Sequence, residues 1–260
     1  KIKMNIQIRR NLFLRTNEIN DERQSIWFLH GFADSGLAYK AVFESPLNEK
    51  FNLYVVDLPG FGVSPINPNY VSIKEQASLI AQIIAQETAN QHKVNIVAHS
   101  LGALIGTWVC QSLEDKINYY FSLEGNLTEA DSYFSSKPLK FNSANAFVES
   151  FNEEIFEIAK LEERYSLYYS SLRFAEPEGM RNWGFTSQEH IKANKCGLEF
   201  KALTCKKLYI WGDVDTPKAT QNFIAKNGIP NKLYKGVGHW HMIENAVQLY
   251  KDINETIKAV

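Results

Sequence analysis

The sequence predicts an α/β fold: a doubly wound, mostly parallel sheet flanked by helices, with a helical segment inserted late in the chain. Three observations predict it. Short apolar runs without apolar/polar alternation recur along the chain, as expected for strands buried on both faces of a parallel sheet. Amphipathic helical patterns lie between them, and alternating strands and helices imply a parallel sheet. One stretch, residues 126–206, breaks the rhythm and shows no clear strand.

The elements follow in order. Asn5 to Arg10 and Asn11 to Thr16 read as an antiparallel hairpin at the sheet edge. The apolar runs are Ile26–Leu29, Leu53–Val56, Val94–Ala98, Tyr119–Leu123 and Leu208–Trp211. They are too short for buried helices, which need ten or so residues. Ser72-Ile73-Lys74-Glu75 forms a capping box, and Ile73, Ala77, Ile80 and Ile84 then repeat on one helical face. Glu244 to Val260 reads as a closing amphipathic helix. Between Asn126 and Lys206 aromatic residues accumulate, among them Tyr133, Phe134, Phe147, Phe151, Phe156, Tyr168, Phe174, Trp183 and Phe185. Phe147 to Tyr169 has helical spacing. A structureless loop of this length would be unusual in a compact domain, so the segment is expected to be a helical cap, with most of its aromatics there for packing. The expected division is 1–125 and 207–260 for the core and 126–206 for the cap.

Composition excludes several functions. The chain has 260 residues, 45% hydrophobic, and a formal charge of −1. No global field favours nucleic acid or an anionic membrane. No apolar run approaches a membrane span. Lys1 to Met4 is basic, but polar residues follow, so no signal-peptide core is expected. Cys110, Cys196 and Cys205 are scattered, with no zinc spacing. Reduced thiols in a cytoplasmic protein are the expectation. The sequence gives no oligomeric state.

The chemistry centres on "VNIVAHSLGALIGTW", residues 94–108. A serine hydroxyl needs a base, usually histidine, and the base needs an orienting carboxylate. Attack on an acyl carbon also needs donors for the oxyanion. A strand that turns sharply into a helix pushes the side chain between them outward, and small neighbours two residues either side relieve the crowding. Ala98 and Gly102 flank Ser100 in that way. The N–H of Leu101 opens the helix beside it. After the strand Ile26–Leu29 comes His30-Gly31-Phe32, where the N–H of Phe32 is a natural second oxyanion donor. His30 reads as a residue that fixes this loop. "LYIWGDVDTP" offers Asp213 or Asp215 as the acid, and "GVGHWH" offers His239 or His241 as the base. His-x-His alone is weak evidence for a metal.

"LHGF", "VVDLPGFGVS", "VAHSLGA", "WGDVDTP" and "GHWHMIEN" together resemble the landmarks of the α/β-hydrolase superfamily, in its serine hydrolase branch with a helical cap. The resemblance covers about residues 26–125 and 207–260. It implies an eight-stranded, mostly parallel sheet and a triad in the order serine, acid, histidine. Carried over by motif, Ser100 is the nucleophile, Asp215 the acid and His239 the base, with Phe32 and Leu101 supplying the oxyanion hole. Glu124, at the end of the sixth strand, falls where some relatives keep an alternative acid or a site-supporting residue. Trp240 is expected either to wall the pocket or to pack on the last helix. No metal or organic cofactor is implied.

A serine at position 100 excludes the chemistry of relatives that attack alkyl halides or epoxides through a carboxylate. The expected reaction is hydrolysis of a carboxylic ester of a small or medium, partly apolar substrate. Thioesterase, carbon–carbon bond hydrolase, amidase or lactonase, and perhydrolase chemistry can use the same residues. A slow-turnover ligand receptor on the same fold is the alternative from another class.

Overall fold

Eight strands form one sheet in the order β1-β2-β4-β3-β5-β6-β7-β8. The structure is a computed structural model that describes residues 4–90, 93–192 and 194–258. The strands are β1 (Asn5–Arg9), β2 (Leu12–Thr16), β3 (Ser25–Leu29), β4 (Asn52–Val56), β5 (Val94–His99), β6 (Ile117–Leu123), β7 (Lys206–Gly212) and β8 (Asn231–Tyr234). β1 and β2 run antiparallel to their neighbours, and the ladders from β4 through β8 are parallel. β1 and β2 are the expected hairpin: Arg9 pairs with Leu12, and Arg10 and Asn11 both take positive φ, which a two-residue turn needs to match the strand twist.

All residues of β3, β4 and β5 are buried, which explains their missing alternation. On adjacent strands Trp27 and Tyr54 stack with centroids 4.2 Å apart, a contact within the core. β8 was not read from the sequence. It has four residues at the sheet edge, of which only Tyr234 is buried, so it carries little apolar signal.

The helices are α1 (Leu47–Lys50), α2 (Ile73–Glu87), α3 (Gly102–Leu113), α4 (Ala144–Leu161), α5 (Arg164–Leu172), α6 (Pro177–Lys192), α7 (Lys195–Ala202), α8 (Lys218–Asn227), α9 (His241–Glu244) and α10 (Ala246–Lys258). The capping box at Ser72 and Glu75 opens α2, and Ile73, Ala77, Ile80 and Ile84 face the core. The closing helix begins at Ala246 rather than Glu244, because Asn245 ends α9; residues 259–260 lie outside the described residues. Among the described residues, no helix is long and apolar enough to cross a membrane. Cys110 is buried in α3 as expected, and all three cysteines are free.

Among the described residues, the chain between β6 and β7 holds helices and no strand. The helical run read over 147–169 is two helices, broken at Glu162 and Glu163. Phe147, Phe151 and Ile155 bury one face of α4, and both phenylalanine rings sit about 6 Å from Phe32 (6.3 and 6.1 Å). The Tyr168 hydroxyl on α5 donates to Phe32 O at 3.1 Å. Trp183 on α6 donates to Gln76 Oε1 on α2 at 2.9 Å. These contacts seat the inserted helices over the loop after β3. Phe156, Phe174 and Phe185 are exposed; Phe156 packs on Tyr169 with centroids 5.3 Å apart, and none of the three lines the cavity beside Ser100.

Candidate active site

The strand order reverses direction at β3: the chain leaves it for β4 on one side, then returns to β5 on the other. Ligand crevices in open α/β sheets form beyond the carboxyl ends of strands at such a point. The loops after β3, β5, β6 and β7 meet there.

The loop after β3 is held by buried polar contacts. Leu58 N–H donates to His30 Nε2 at 3.0 Å, so Nδ1 carries the proton and donates to Gly31 O at 2.9 Å. Burial lowers the His30 pKa to about 4, which keeps the ring neutral. His30 thus braces two loops, as its early position suggested. The buried Arg15–Asp57 pair (Nη1 to Oδ1, 2.7 Å) does similar work, since Asp57 also accepts the N–H groups of Gly36 and Val63.

Ser100 sits between β5 and α3 with φ 52, in the left-handed region that costs a non-glycine residue strain. Its N–H donates to Leu123 O at 2.9 Å, which ties the turn to the end of β6. The small neighbours have identifiable reasons. A Cβ on Gly102 would overlap His30 O, and a Cβ on Gly31 would stand 2.8 Å from Ser100 Cβ. Ala98 Cβ faces Gly106 at 2.9 Å from where a side chain would begin, so helix and strand cross closely. Among the described residues, no acceptor within the protein takes the N–H of Phe32 or of Leu101.

His239 is reached from both sides. Its Nδ1 lies 2.8 Å from Glu124 Oε2. Its backbone N–H donates to Asp215 Oδ2 at 2.9 Å, and its carbonyl accepts from His99 Nε2 at 2.9 Å. The expectation from motif position was that Asp215 would face the imidazole. Instead Asp215 holds the main chain, and its Oδ2 also accepts from Arg164 Nη1 on α5 at 2.5 Å. Asp213 accepts the N–H of Gly236 at 2.7 Å and makes a turn.

Glu124 takes the ring contact because its backbone also turns left-handed, at φ 40, immediately after β6. Its Oε1 accepts from Gly212 N–H at 2.9 Å and Thr216 Oγ1 at 2.8 Å. His241 Nε2 lies 3.5 Å from the same oxygen. Burial alone would favour the neutral acid, but the hydrogen bonds and charges of His239 and His241 outweigh it and hold the carboxyl well below the usual carboxylate range. The His99 pKa is also lowered, chiefly by burial and then by His239, which keeps that ring neutral.

Ser100 and His239 line one cavity with Phe32, Asp34, Tyr133, Phe134, Tyr168 and Trp240. It is narrow, about 10 Å³, room for roughly one water molecule. Trp240 lines the cavity, and its ring packs on Tyr165 and Tyr168 of α5, each 4.9 Å away. Thr216, Tyr133 and Asp34 were not singled out from sequence. Thr216 directly follows Asp215 and Asp34 lies in "HGFADSG", so proximity to the motifs was their only signal. Arg164 carried none, because it comes from the inserted helices.

The model of the α/β hydrolase fold family matches residues 24–246. A curated relative from Arabidopsis thaliana, "Probable lysophospholipase BODYGUARD 5", is 25% identical over 121 residues, 44% of this chain and 27% of that one. The chain spans 27% and 35% of the length of two curated relatives it matches. Among solved structures, a thermophilic esterase from Thermogutta terrifontis aligns with TM-score 0.71 at 17% identity, covering 99% of this chain and 98% of that one. A laboratory-evolved variant of potato epoxide hydrolase aligns with TM-score 0.78 at 15% identity, over 99% and 100%. At such identities the likeness concerns the fold. With most of its length matched by the family model, the chain belongs to the α/β hydrolase fold family.

Proposed function

We propose that the protein is a serine hydrolase that cleaves carboxylic esters of small or medium, partly apolar substrates through an acyl-enzyme on Ser100. His239 is the base, and Glu124, in place of Asp215, is the acid that orients it. The observation that carries this reading is the 2.8 Å contact from His239 Nδ1 to a buried, triply anchored carboxylate, beside a strained Ser100 in the same cavity.

The steps of this reading are those of a serine triad. With Nδ1–H donated to Glu124, Nε2 of His239 is free to take the Ser100 proton as Oγ attacks the ester carbonyl. The N–H groups of Phe32 and Leu101 receive the developing oxyanion. Glu124 stabilises the imidazolium, which then protonates the departing alcohol. A water molecule, deprotonated by His239, attacks the acyl-enzyme and releases the acid. No step needs a group the chain lacks.

The helices of residues 126–206 act in this reading as a cap. The cavity is too small for a substrate as it stands, so entry requires these helices to move. Thioesters, lactones, amides, activated carbon–carbon bonds and peroxide as acyl acceptor pose different demands on the leaving group or nucleophile, not on the triad. An ester with a good leaving group makes the smallest demand.

The test is intact-protein mass after a fluorophosphonate, with p-nitrophenyl esters of rising chain length. A single adduct and ester turnover are expected in the wild type, and neither in Ser100→Ala. Equal turnover in that variant would remove Ser100 from the reaction.

A further inference from the structure

Two carboxyl groups that the proposed triad does not use line the cavity, Asp34 and Asp131. Asp34 is 1% exposed and lines the cavity together with Ser100 and His239. Its Oδ1 accepts Ser35 N–H at 2.7 Å. Its Oδ2 receives only a long contact, 3.3 Å, from Trp240 Nε1. The Ser171 hydroxyl stands close enough to lower the Asp34 pKa, but its short contact is with Ser35 Oγ at 2.8 Å. Among the described residues, no lysine, arginine or histidine forms an ion pair with Asp34.

The other carboxylates of the interior are different. Asp252 has the Tyr234 hydroxyl, the Gln248 amide and the Lys232 ammonium. Asp57 has both guanidinium nitrogens of Arg15 and two backbone N–H groups. Asp131 has two backbone N–H groups and the hydroxyl of Thr220. Glu124 has a ring nitrogen, a backbone N–H and a hydroxyl. A carboxylate offers about four acceptor positions, and leaving a buried one short of donors is costly. Asp34 alone faces a ligand cavity with that capacity unfilled. Burial raises its pKa to about 7, consistent with a group short of donors.

We propose that Asp34 is a specificity-determining residue: its Oδ2 accepts a hydrogen bond from a hydroxyl on the substrate's acyl chain, so that the preferred substrates are esters of short hydroxy acids. Much of the remaining wall is aromatic, from Phe32, Tyr133, Phe134, Tyr168 and Trp240, and suits the carbon skeleton, with Ser135 and Asp131 as further polar lining. A site built to bond a substrate hydroxyl rejects the analogue lacking it, because the buried group is then left unpaired. A second carboxylate on the substrate would meet Asp34 as a like charge.

The proposal rests on the hydrolase reading for its substrate class, so two readouts separate them. Fluorophosphonate labelling and ester turnover of the wild type test the hydrolase. Ligand binding to Ser100→Ala at pH 8, where chemistry is absent, tests the subsite. The probes are methyl lactate and methyl 3-hydroxybutyrate, each against the isostere with methyl in place of hydroxyl, methyl isobutyrate and methyl 3-methylbutyrate. At least one hydroxy ester is expected to bind about 10-fold or more tighter than its isostere. In Ser100→Ala/Asp34→Asn the amide oxygen can keep the Ser35 bond while its NH₂ faces the cavity. The hydroxyl preference is then expected to vanish, and methyl acetoacetate, with a carbonyl in place of the hydroxyl, to gain. A hydroxyl preference absent from both pairs, or one that survives Asp34→Asn, overturns the proposal even if the enzyme hydrolyses other esters.

Discussion

The loop after β6 and the loop after β7 each bring a carboxylate to His239, and they use it differently. Glu124 bonds the imidazole; Asp215 bonds the backbone N–H of the same residue. The Glu124 side chain is 4% exposed and saturated by core donors, whereas that of Asp215 is 22% exposed and paired with Arg164. Position along the chain favours Asp215, yet the left-handed turn at Glu124 and the donors at Gly212 and Thr216 aim the other carboxylate at the ring. Which carboxylate reaches the imidazole is therefore a matter of where each side chain's hydrogen bonds are anchored, and not of which strand it follows.

The largest expected effect breaks the comparison at Glu124. Glu124→Gln keeps the shape but removes the charge and permits the wrong tautomer of His239. It is expected to lower kcat about 10³–10⁴-fold, read from steady-state ester hydrolysis beside circular dichroism for folding. The same variant has a pH signature. The Glu124 carboxyl is depressed in the folded protein, so its stabilisation is fully present above the unfolded value near 4.5 and is lost as pH falls through and below it. Denaturant titrations between pH 7 and pH 3 should show the wild type losing more stability than Glu124→Gln. Parallel losses would mean that the carboxylate gains nothing from its histidine partners.

Asp215→Asn sharpens the comparison from the other side. The amide oxygen can still accept from His239 N–H and from Arg164, and the imidazole keeps Glu124. The expected loss in kcat is below about 10-fold, against the 10⁴-fold typical of losing a triad carboxylate's charge. If Asp215→Asn is instead the crippling change and Glu124→Gln the mild one, the acid returns to β7 and the cavity must rearrange when substrate binds.

Much of this was legible because buried parallel strands write themselves as unbroken apolar runs, and because the turn at Ser100 demands small residues at fixed offsets. The turn at Ser100 and the loop position of His30 rest on such local constraints, whereas the preference for His239 over His241 comes only with the family resemblance. The choice between Asp215 and Glu124 does not, since it depends on which of two strand ends points a side chain inward, over 88 residues from Glu124 to Gly212. Asp34 was invisible for another reason: its meaning lies in the donors it lacks, and a sequence cannot display an unmade bond. β8 was missed because an exposed edge strand of four residues carries no apolar periodicity.

The smallest effect concerns what Asp215 does in place of orienting the ring. Arg164 reaches from α5 to Asp215 at 2.5 Å, to Glu162 at 2.8 Å and toward Glu244 at 3.8 Å, and so ties the inserted helices to the loop that carries His239. Its side chain is 21% exposed, and pairs at such positions are screened by solvent. Arg164→Ala is therefore expected to cost at most about 1 kcal/mol, a fall in Tm of roughly 2–4 °C by calorimetry. If Asp215 serves to hold the helices down, the same substitution should ease their movement and raise the rate of Ser100 labelling by a bulky fluorophosphonate more than by a small one. Equal rates for the two probes would leave Asp215 as a brace for the His239 main chain alone. A large drop with both would mean that the tie to Arg164 positions the base itself, and the division of labour between the two carboxylates would be less sharp than their hydrogen bonds imply.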